Sequence, residues 1–321
     1  MTRLFNRNNL YWLLLITVIY VVIASLIALD IINAYYRITL LLICTNIILA
    51  VSLNLIIGVT GQFSLGHAGF MAIGAYASAL ITKMIPNING LLLGILVGAI
   101  ISTLIALVVA IPTLRLKGDY LAIATLGFAE IIRIVVLNLK ITNRAAGLAN
   151  IPKLVNWDIA YIGVIISVLI VVNFKRSAIG RACISIKEDE IASEAMGVNT
   201  TKYKIMAFVT GAILASLAGA FYANTFYVIN PDTFGFAKSI DILVIVVFGG
   251  MGSMTGSIIS AIALGIINIT LQGFSTIRMI IYAITIIAIM VFRPKGLLGN
   301  REFSISRLRS LIKRRSEHER S

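Results

Sequence analysis

Long apolar runs follow one another along almost the whole chain, and this pattern constrains its fold more than any other feature. Many of the runs have roughly the 20 residues that a helix needs to cross the hydrocarbon core of a bilayer. We predict eight to ten membrane-spanning helices, some of them short. The predicted spans are residues 11–32, 38–58, 65–85, 91–111, 120–139, 159–174, 203–222, 240–252, 257–271 and 279–292. The glycine-rich segment 249–256 separates two short runs, which are either two short spans or one re-entrant hairpin.

The balance of charged and apolar residues excludes a soluble globular domain. Only 12% of the residues are charged and 59% are hydrophobic, whereas a soluble domain usually has about a quarter of its residues charged. We therefore predict an all-α, polytopic transmembrane helical bundle over residues 1–300, followed by a basic cytoplasmic tail at 301–321. The first apolar run is longer than a signal-peptide core of about 7–15 residues, so we interpret it as a retained helix.

Basic residues are distributed unevenly between the two sides of the predicted bundle, and the formal net charge is +14. If Arg3 and Arg7 are cytoplasmic, 19 of the 27 Lys and Arg residues lie in cytoplasmic segments, 7 lie in external loops, and Arg133 lies within a span. Since basic residues accumulate on the cytoplasmic side, we predict that both termini and the loop 175–204 are cytoplasmic. Lys and Arg residues that alternate with apolar runs do not form the water-facing basic surface that nucleic-acid binding requires, so we do not interpret the net charge as a sign of nucleic-acid binding. The tail is either an amphipathic helix on anionic membrane lipid or disordered.

The loop 175–204 contains a segment with the features of a short helix. Glu188, Asp189 and Glu190 open this segment, and acidic side chains are stabilised at a helix N-terminus. Glu194 lies within it, and Gly197 suits the left-handed conformation that ends many helices. Two interpretations stay open, namely a helix that docks onto a cytoplasmic partner and a solvated connector.

Two charged residues fall inside the fifth predicted span. Glu130 and Arg133 are three residues apart, and they therefore share one face of a helix. Intramembrane charges are costly, and they usually face the interior of a bundle or a cavity. The two residues either neutralise each other or pair with a neighbour, near the cytoplasmic side or the midplane, or they take part directly in transport.

Glycines and polar residues interrupt the apolar pattern at the start of the third span and again within the segment 249–256. Unwound backbone in a membrane is tolerated only beside protein or a watery cavity, and discontinuous helices often border transport pathways. We therefore predict a translocation path at these two places. The candidate residues are Gln62, Ser64, His67, Gly249, Gly250 and Gly252.

Catalytic, nucleotide-binding and metal-binding motifs are absent from the sequence. His67 has no second histidine nearby, since the other one is His318, so we expect no metal site and keep a packing role as the simpler interpretation. No G-x-x-x-x-G-K-[ST] loop, paired-histidine motif or serine nucleophile elbow is present. We therefore predict that the chain is not an enzyme and holds no cofactor or metal, and that any energy from ATP must enter through another chain.

Four stretches of the sequence form a recognisable set. They read GQFSLGHA at 61–68, LRLKGDY at 114–120 continuing to TLGFAEIIR at 125–133, the acidic segment 188–197 with NTT at 199–201, and FRPKGLLG at 292–299. Together they resemble the permease family of branched-chain amino-acid ABC importers, specifically the second of its two membrane subunits. Two features depart from the family pattern. The segment 142–148 lacks a glycine pair after its threonine, and the loop 175–204 lacks the full EAA motif.

This resemblance implies a heteromeric importer in a bacterial cytoplasmic (inner) membrane. A second homologous permease pairs with the chain, two cytoplasmic ATPase subunits power the pair, and an external substrate-binding protein delivers leucine, isoleucine or valine. The acidic segment with Gly197 carries the docking role for an ATPase. Related permeases carry urea or short amides, which stays an alternative. A stand-alone secondary transporter is another, with Glu130 as the main candidate for ion coupling.

Overall fold

The computed structural model describes residues 7–116 and 118–270, together with positions 284, 287, 296, 297 and 299. These residues form α-helices, short turns and one isolated bridge between Leu148 and Ile229, without a strand. The helices are α1 Arg7–Ala28, α2 Ala34–Asn54, α3 His67–Met84, α4 Ile88–Thr113, α5 Asp119–Asn138, α6 Trp157–Arg176, α7 Ala178–Glu188, α8 Glu190–Ala195, α9 Thr200–Ala223, α10 Phe236–Gly249 and α11 Met254–Thr270. The predicted all-α helical bundle is therefore confirmed.

The long helices run alternately between two ends of one bundle. One end, which we call the basic end, carries residues 175–204, the C-terminus of α2, the N-terminus of α3 and the turn between α10 and α11. At the opposite end, the segment after α5 pairs with the segment after α9 through Leu148 and Ile229. This alternation agrees with the predicted order of the spans, and the assignment of the basic end to the cytoplasm stays a prediction.

Five described helices are long and apolar enough to cross a membrane. They are α2 with the π-helical turn Leu55–Val59 that continues it, α4, α5, α6 and α9. Shorter apolar stretches occur in α1, at Leu14–Ala28, and in α11. The chain is therefore a multi-pass membrane protein, and its total of eight to ten spans stays a prediction.

The two short runs around the glycine-rich segment form two separate helices that pack side by side. Ser260 Oγ of α11 donates a hydrogen bond to the Ile245 carbonyl oxygen of α10 at 2.6 Å. From that turn α11 runs along α2, since Ser257 contacts Asn54 and a Cβ atom on Gly265 would touch Ile43. Two short spans and one re-entrant hairpin both agree with this geometry, so both alternatives stay predictions.

Small residues allow α3, α4 and α9 to approach closely at the centre of the bundle. A Cβ atom on Gly74 would lie 1.9 Å from the Ser216 carbonyl oxygen, and a Cβ atom on Gly219 would lie 1.9 Å from that of Met71. Backbone therefore touches backbone between α3 and α9. Such contacts replace the hydrophobic drive that lipid does not supply.

Three predicted features lie outside the described residues. They are the last span at 279–292 except for positions 284 and 287, most of the motif at 292–299, and the basic tail at 301–321. The division of the chain into a bundle and a tail therefore stays a prediction.

Candidate functional site

One asparagine side chain holds the C-terminus of α2 at the basic end. Asn54 is 2% exposed, and its amide nitrogen donates hydrogen bonds to the Ser253 carbonyl oxygen at 2.8 Å and to Ser257 Oγ at 2.9 Å. Its amide oxygen accepts a hydrogen bond from the Gly252 N–H at 2.7 Å. Directly after Asn54, α2 widens into the π-helical turn Leu55–Val59. Asn54 thus joins the break in α2 to the turn between α10 and α11.

The candidate glycines shape that turn. Gly249 ends α10, while Gly250 and Gly252 have φ values of 107° and 105°, which favour glycine because it lacks a Cβ atom. A Cβ atom on Gly249 would lie 2.5 Å from the carbonyl carbon of Gly256. These contacts account for the glycines structurally, and their place in a translocation path stays a prediction.

Two lysines connect the loop 175–204 to both helix breaks. Lys187 Nζ of α7 donates a hydrogen bond to the Gly58 carbonyl oxygen at 2.9 Å. Lys175 Nζ, at the end of α6, donates one to the Gly252 carbonyl oxygen at 3.0 Å. Carbonyl groups at helix ends and in turns lack partners within a helix, and an ammonium group makes a strong, charge-assisted hydrogen bond to them. The loop is therefore bonded to the π-helical turn and to the glycine-rich turn.

The polar candidates of the segment 61–67 are buried at the basic end. His67 Nε2 lies 2.7 Å from Ser52 Oγ, which in turn donates to the Leu49 carbonyl oxygen at 2.9 Å, so a tautomer protonated at Nε2 satisfies both contacts. This geometry agrees with the packing interpretation of His67. Gln62 is 4% exposed, and its amide oxygen and nitrogen have no partner among the described residues. Since buried polar groups are nearly always bonded, the Gln62 amide has unused capacity for hydrogen bonds, whereas Ser64 Oγ accepts one from the Gly66 N–H at 3.4 Å.

The described residues hold no group of three or more His, Cys, Asp or Glu side chains that could bind a metal ion. The buried His67 therefore has no metal-binding neighbours in the described part of the chain. That the whole chain holds no metal or cofactor stays a prediction.

The acidic segment belongs to two helices instead of one. α7 ends at Glu188, and Asp189 is the N-cap of α8, where its Oδ1 accepts a hydrogen bond from the Ala192 N–H at 3.0 Å. The prediction that Glu188 opens the short helix is therefore wrong, because the chain turns at Asp189. Gly197 follows the end of α8 with a φ of 84°, as the sequence predicts.

Two of the predicted docking acids have partners within the chain. Glu190 forms an ion pair with Lys204 at 2.6 Å, and Glu194 accepts a hydrogen bond from Thr200 Oγ1 at 2.7 Å. Both partners lie in the first turns of α9. The acids therefore fix α8 onto α9, and their predicted role in binding an ATPase stays a prediction.

The loop exposes apolar side chains on α8 and buries a thiol on α7. Ile191 is 76% exposed and Met196 is 85% exposed, although both lie outside the apolar spans. Cys183 is fully buried, with its Sγ 3.5 Å from the Tyr203 carbonyl oxygen, and burial raises the pKa of this thiol to about 11. The two helices thus form a packed platform that presents an apolar surface outward.

The charged pair of α5 is part of a three-residue network that extends to the opposite end. Arg133 Nε donates to Glu130 Oε2 at 2.7 Å, and Arg133 Nη1 donates to Asp232 Oδ1 at 2.8 Å. Asp232 lies in the 3₁₀ turn Pro231–Phe234 that follows α9. The geometry agrees with mutual neutralisation and a neighbouring ion pair. The network lies toward the end opposite the basic end, because Asp232 belongs to that end.

Sequence reasoning missed two charged residues near the start of α10. Lys238 is one of the seven basic residues predicted to lie in external loops, but its Nζ lies 3.2 Å from Asn46 Oδ1 of α2, inside the bundle. Asp241 follows three residues later and is exposed on the surface of the single chain. The sequence contains a signal that could have identified them. Lys238 and Asp241 have opposite charges and are three residues apart at the start of an apolar run, which is the spacing of neighbours on one face of a helix.

Comparison with known proteins gives consistent matches over most of the chain. Residues 35–290 match the family model described as branched-chain amino acid transport system / permease component. The high-affinity branched-chain amino acid transport system permease protein LivM of Salmonella typhimurium is 33% identical over 287 residues, which cover 78% of this chain and 67% of that protein. LivM of Escherichia coli strain K12 has the same identity and coverage. LivH of that strain is 28% identical over 149 residues, 46% of this chain and 47% of that protein. No solved structure is significantly similar to the chain.

Proposed function

Because the chain belongs to the family of branched-chain amino acid transport system permease components, we propose that it is a membrane subunit of an ATP-driven importer of leucine, isoleucine and valine. The chain is more similar to LivM, with 33% identity over 287 residues, than to LivH, with 28% identity over 149 residues. This difference supports its role as the second of two different permeases. Two cytoplasmic ATPase subunits use the ATP, an external binding protein delivers the substrate, and this chain has no ATPase site. The importer lies in a bacterial cytoplasmic membrane, with both termini and the basic end of this chain on the cytoplasmic side.

The platform α7–α8 has an outward side and an inward side, and this arrangement supports the proposal that ATP hydrolysis is coupled to movement of the membrane helices. Outward it presents Ile191 and Met196, and an apolar surface of this kind outside the membrane marks a protein contact. Inward it is bonded to the helix breaks through Lys187 and, at the preceding helix end, Lys175. An ATPase that binds α8 is thereby connected to the two places where the helices are interrupted.

The fixed position of α8 explains how a movement reaches the membrane helices. The ion pair between Glu190 and Lys204 and the hydrogen bond between Glu194 and Thr200 attach α8 to α9. ATP-driven approach of the two ATPases then displaces the start of α9 together with α7. The lysine bonds transmit that displacement to Gly58 and Gly252, where interrupted helical hydrogen bonding makes the backbone easiest to rearrange.

Co-purification of the complex and uptake into proteoliposomes test the proposal together. The double variant Ile191→Asp, Met196→Asp should lose co-purified ATPase and ATP-dependent uptake of radiolabelled leucine, because two charges replace the apolar contact. The matched control is Ile141→Asp, which makes the same change at a position 64% exposed at the opposite end. This control should retain the ATPases.

Three outcomes would contradict the proposal. ATPase binding at the parent level in the double variant would make α7–α8 a connector only. Uptake of urea without uptake of leucine would reject the substrate. Leucine uptake by the purified chain without ATP or partners would favour a stand-alone transporter.

A further inference from the structure

The start of α10 has one side that faces the bundle and one side that is exposed, as at Phe236, which is 52% exposed. The segment before it turns inward, so that Phe234 is 1% exposed and its ring centroid lies 5.9 Å from that of Tyr76 and 5.8 Å from that of Tyr222. Tyr76 lies near the middle of α3, nine residues after His67. With 14 residues, α10 is about 21 Å long, shorter than the roughly 30 Å hydrocarbon core. Short helices that start near the midplane often border substrate sites.

Two opposite charges lie on the first turns of this half-length helix. The Lys238 ammonium contacts Asn46 Oδ1, and Asn46 precedes Asn54 by eight residues, or about 12 Å along α2. The ammonium is therefore deep in the bundle, and a neutral amide is its hydrogen-bond partner. Asp241 lies three residues further along α10 and accepts no hydrogen bond from any described residue. Lys238 and Asp241 attract each other electrostatically without forming a hydrogen bond.

The surroundings of these charges contain further polar groups without partners. Ser239 is 2% exposed and Tyr76 is 3% exposed, and neither hydroxyl group has a partner among the described residues. Ser239 lies between Lys238 and Asp241 in the sequence. Tyr76 contacts Phe234, which lies two residues before α10. Buried hydroxyl groups without partners are rare in native structures. The start of α10 therefore has unused capacity for hydrogen bonds.

The exposure of Asp241 shows which way this face of α10 is turned. A carboxylate in a membrane helix is costly in lipid, and such groups face a bundle interior or a water-filled cavity. Since Asp241 is exposed on the single chain, its face of α10 must be covered by a second subunit or by a watery path. That face is therefore free to meet a partner subunit or water within the path.

We propose that Lys238 and Asp241 form a subsite for a zwitterion, in which Lys238 binds the α-carboxylate and Asp241 binds the α-ammonium group of the transported amino acid. The subsite rests on the proposed function, because it lies on the path of the amino-acid importer. It recognises the two charges that all amino acids share, so it leaves side-chain selection to the binding protein. Urea, which carries neither charge, would gain nothing from it.

The experiment uses the assembled complex in proteoliposomes and measures ATP-dependent uptake of radiolabelled leucine. The variants are Lys238→Met, Asp241→Asn and the double variant. Each single variant should lower uptake about tenfold or more, because a charge of the substrate loses its partner. The matched control is Asp158→Asn, which neutralises an exposed carboxylate in the first turn of α6. Its uptake should stay at the parent rate.

The double variant separates a substrate site from a structural charge pair. Removing both members of a structural pair relieves the burial cost that either single change leaves behind, so uptake would recover. A zwitterion site predicts no recovery, because both substrate charges lose their partners. Recovery in the double variant, or uptake at the parent rate in both single variants, overturns the proposal.

Two further measurements keep the result interpretable. If Asp241→Asn does not assemble, Asp241→Glu keeps the charge and displaces it by one methylene group. A changed KM for leucine supports contact with the substrate, and an unchanged KM overturns it. The parent complex is assayed with leucine and with urea. If the parent fails to move leucine, the proposed function fails, whereas a parent that moves leucine and variants that do so equally well refute the subsite alone.

Discussion

At the scale of single residues, Asn54 makes three buried side-chain hydrogen bonds at the basic end. Its amide group bonds to the Gly252 N–H, the Ser253 carbonyl oxygen and the Ser257 hydroxyl group, and it is itself almost inaccessible to solvent. A buried polar group that loses its partner costs about 1–3 kcal/mol. The three contacts together therefore fix the relative position of α2 and the turn between α10 and α11.

We predict that Asn54→Leu lowers the free energy of unfolding by about 3 kcal/mol or more, since buried partners of the amide become unsatisfied. Thermal unfolding of the purified protein in detergent measures the change. The matched control is Asn138→Leu, because Asn138 is exposed and its amide bonds only to the Ile134 carbonyl oxygen of its own helix. Equal melting temperatures for the two variants would show that the Asn54 contacts contribute little.

The identity of such a residue is easier to predict than its partners. Asn54 is one of two asparagines within the predicted span 38–58, but its partners are 199 and 203 positions away. The same holds for Arg133, whose pairing with Glu130 follows from helical spacing and whose contact with Asp232 does not. Local spacing is encoded by one helix, whereas distant pairing depends on how the whole bundle packs.

Cys183 gives a prediction that depends on pH. Burial raises the pKa of its thiol to about 11, so the reactive thiolate forms only at strongly alkaline pH. At about pH 7.5 we expect Cys183 to react with a maleimide about a hundredfold more slowly than an exposed thiol with a pKa near 8.5. The exposed reference is Ile191→Cys on the adjacent helix. Its rate should level off above about pH 8.5, whereas the rate of Cys183 keeps rising. Equal rates at neutral pH would contradict the burial.

At the scale of elements, helix boundaries are predictable where apolar runs end in ordinary turns. The predicted spans 91–111 and 203–222 correspond closely to α4 Ile88–Thr113 and α9 Thr200–Ala223. α10 begins four residues before its predicted span because Lys238 reads as a loop residue. Its charge is accommodated inside the bundle by Asn46. Charge alone therefore misplaces a boundary when another helix supplies the hydrogen-bond partner.

We predict that replacing glycine with alanine destabilises the turn after α8 at Gly197 and stabilises α5 at Gly127. Gly197→Ala places a Cβ atom on a residue with a φ of 84°, at a cost of about 1–2 kcal/mol. Gly127→Ala lies within α5, where a Cβ atom would meet nothing within 4 Å, and it should stabilise that helix by about 0.5–1 kcal/mol.

Hydrogen exchange of the assembled complex measures the effect on α8, with Gly127→Ala as the control. Amide exchange in residues 190–198 should become about five- to thirtyfold faster in Gly197→Ala, since local opening requires less free energy. Exchange in the same segment should be unchanged in Gly127→Ala. If Gly197→Ala leaves α8 protected as in the parent, the left-handed turn does not limit the stability of this helix.

For the whole molecule, the uneven distribution of basic residues and the alternation of the helices agree on one topology. Residues 175–204 and the turn between α10 and α11 share one end, while the segments after α5 and α9 share the other. Alternation follows from sequence because each span reverses direction. The orientation relative to the cell rests on the positive-inside rule alone.

We predict that a membrane-impermeant maleimide labels Lys153→Cys in intact cells and labels Ile191→Cys only after the membrane is permeabilised. The two positions are exposed and lie at opposite ends of the bundle. The native cysteines Cys44 and Cys183 are buried, so the parent protein serves as the background control. Labelling of Ile191→Cys in intact cells would reverse the topology.

α3 and α9 resist sliding or tilting relative to each other, because their backbones touch at Gly74 and Gly219 with no layer of side chains to deform. The pair therefore has the mechanical character of one rigid rod, about 36 Å long over the 24 residues of α9. α8 is attached near the N-terminus of α9 by the ion pair between Glu190 and Lys204. Near the middle of α3, Tyr76 contacts Phe234, which lies two residues before α10. A displacement of α8 would therefore rotate α3 and α9 together, and this rotation would move the N-terminus of α10 at the same time.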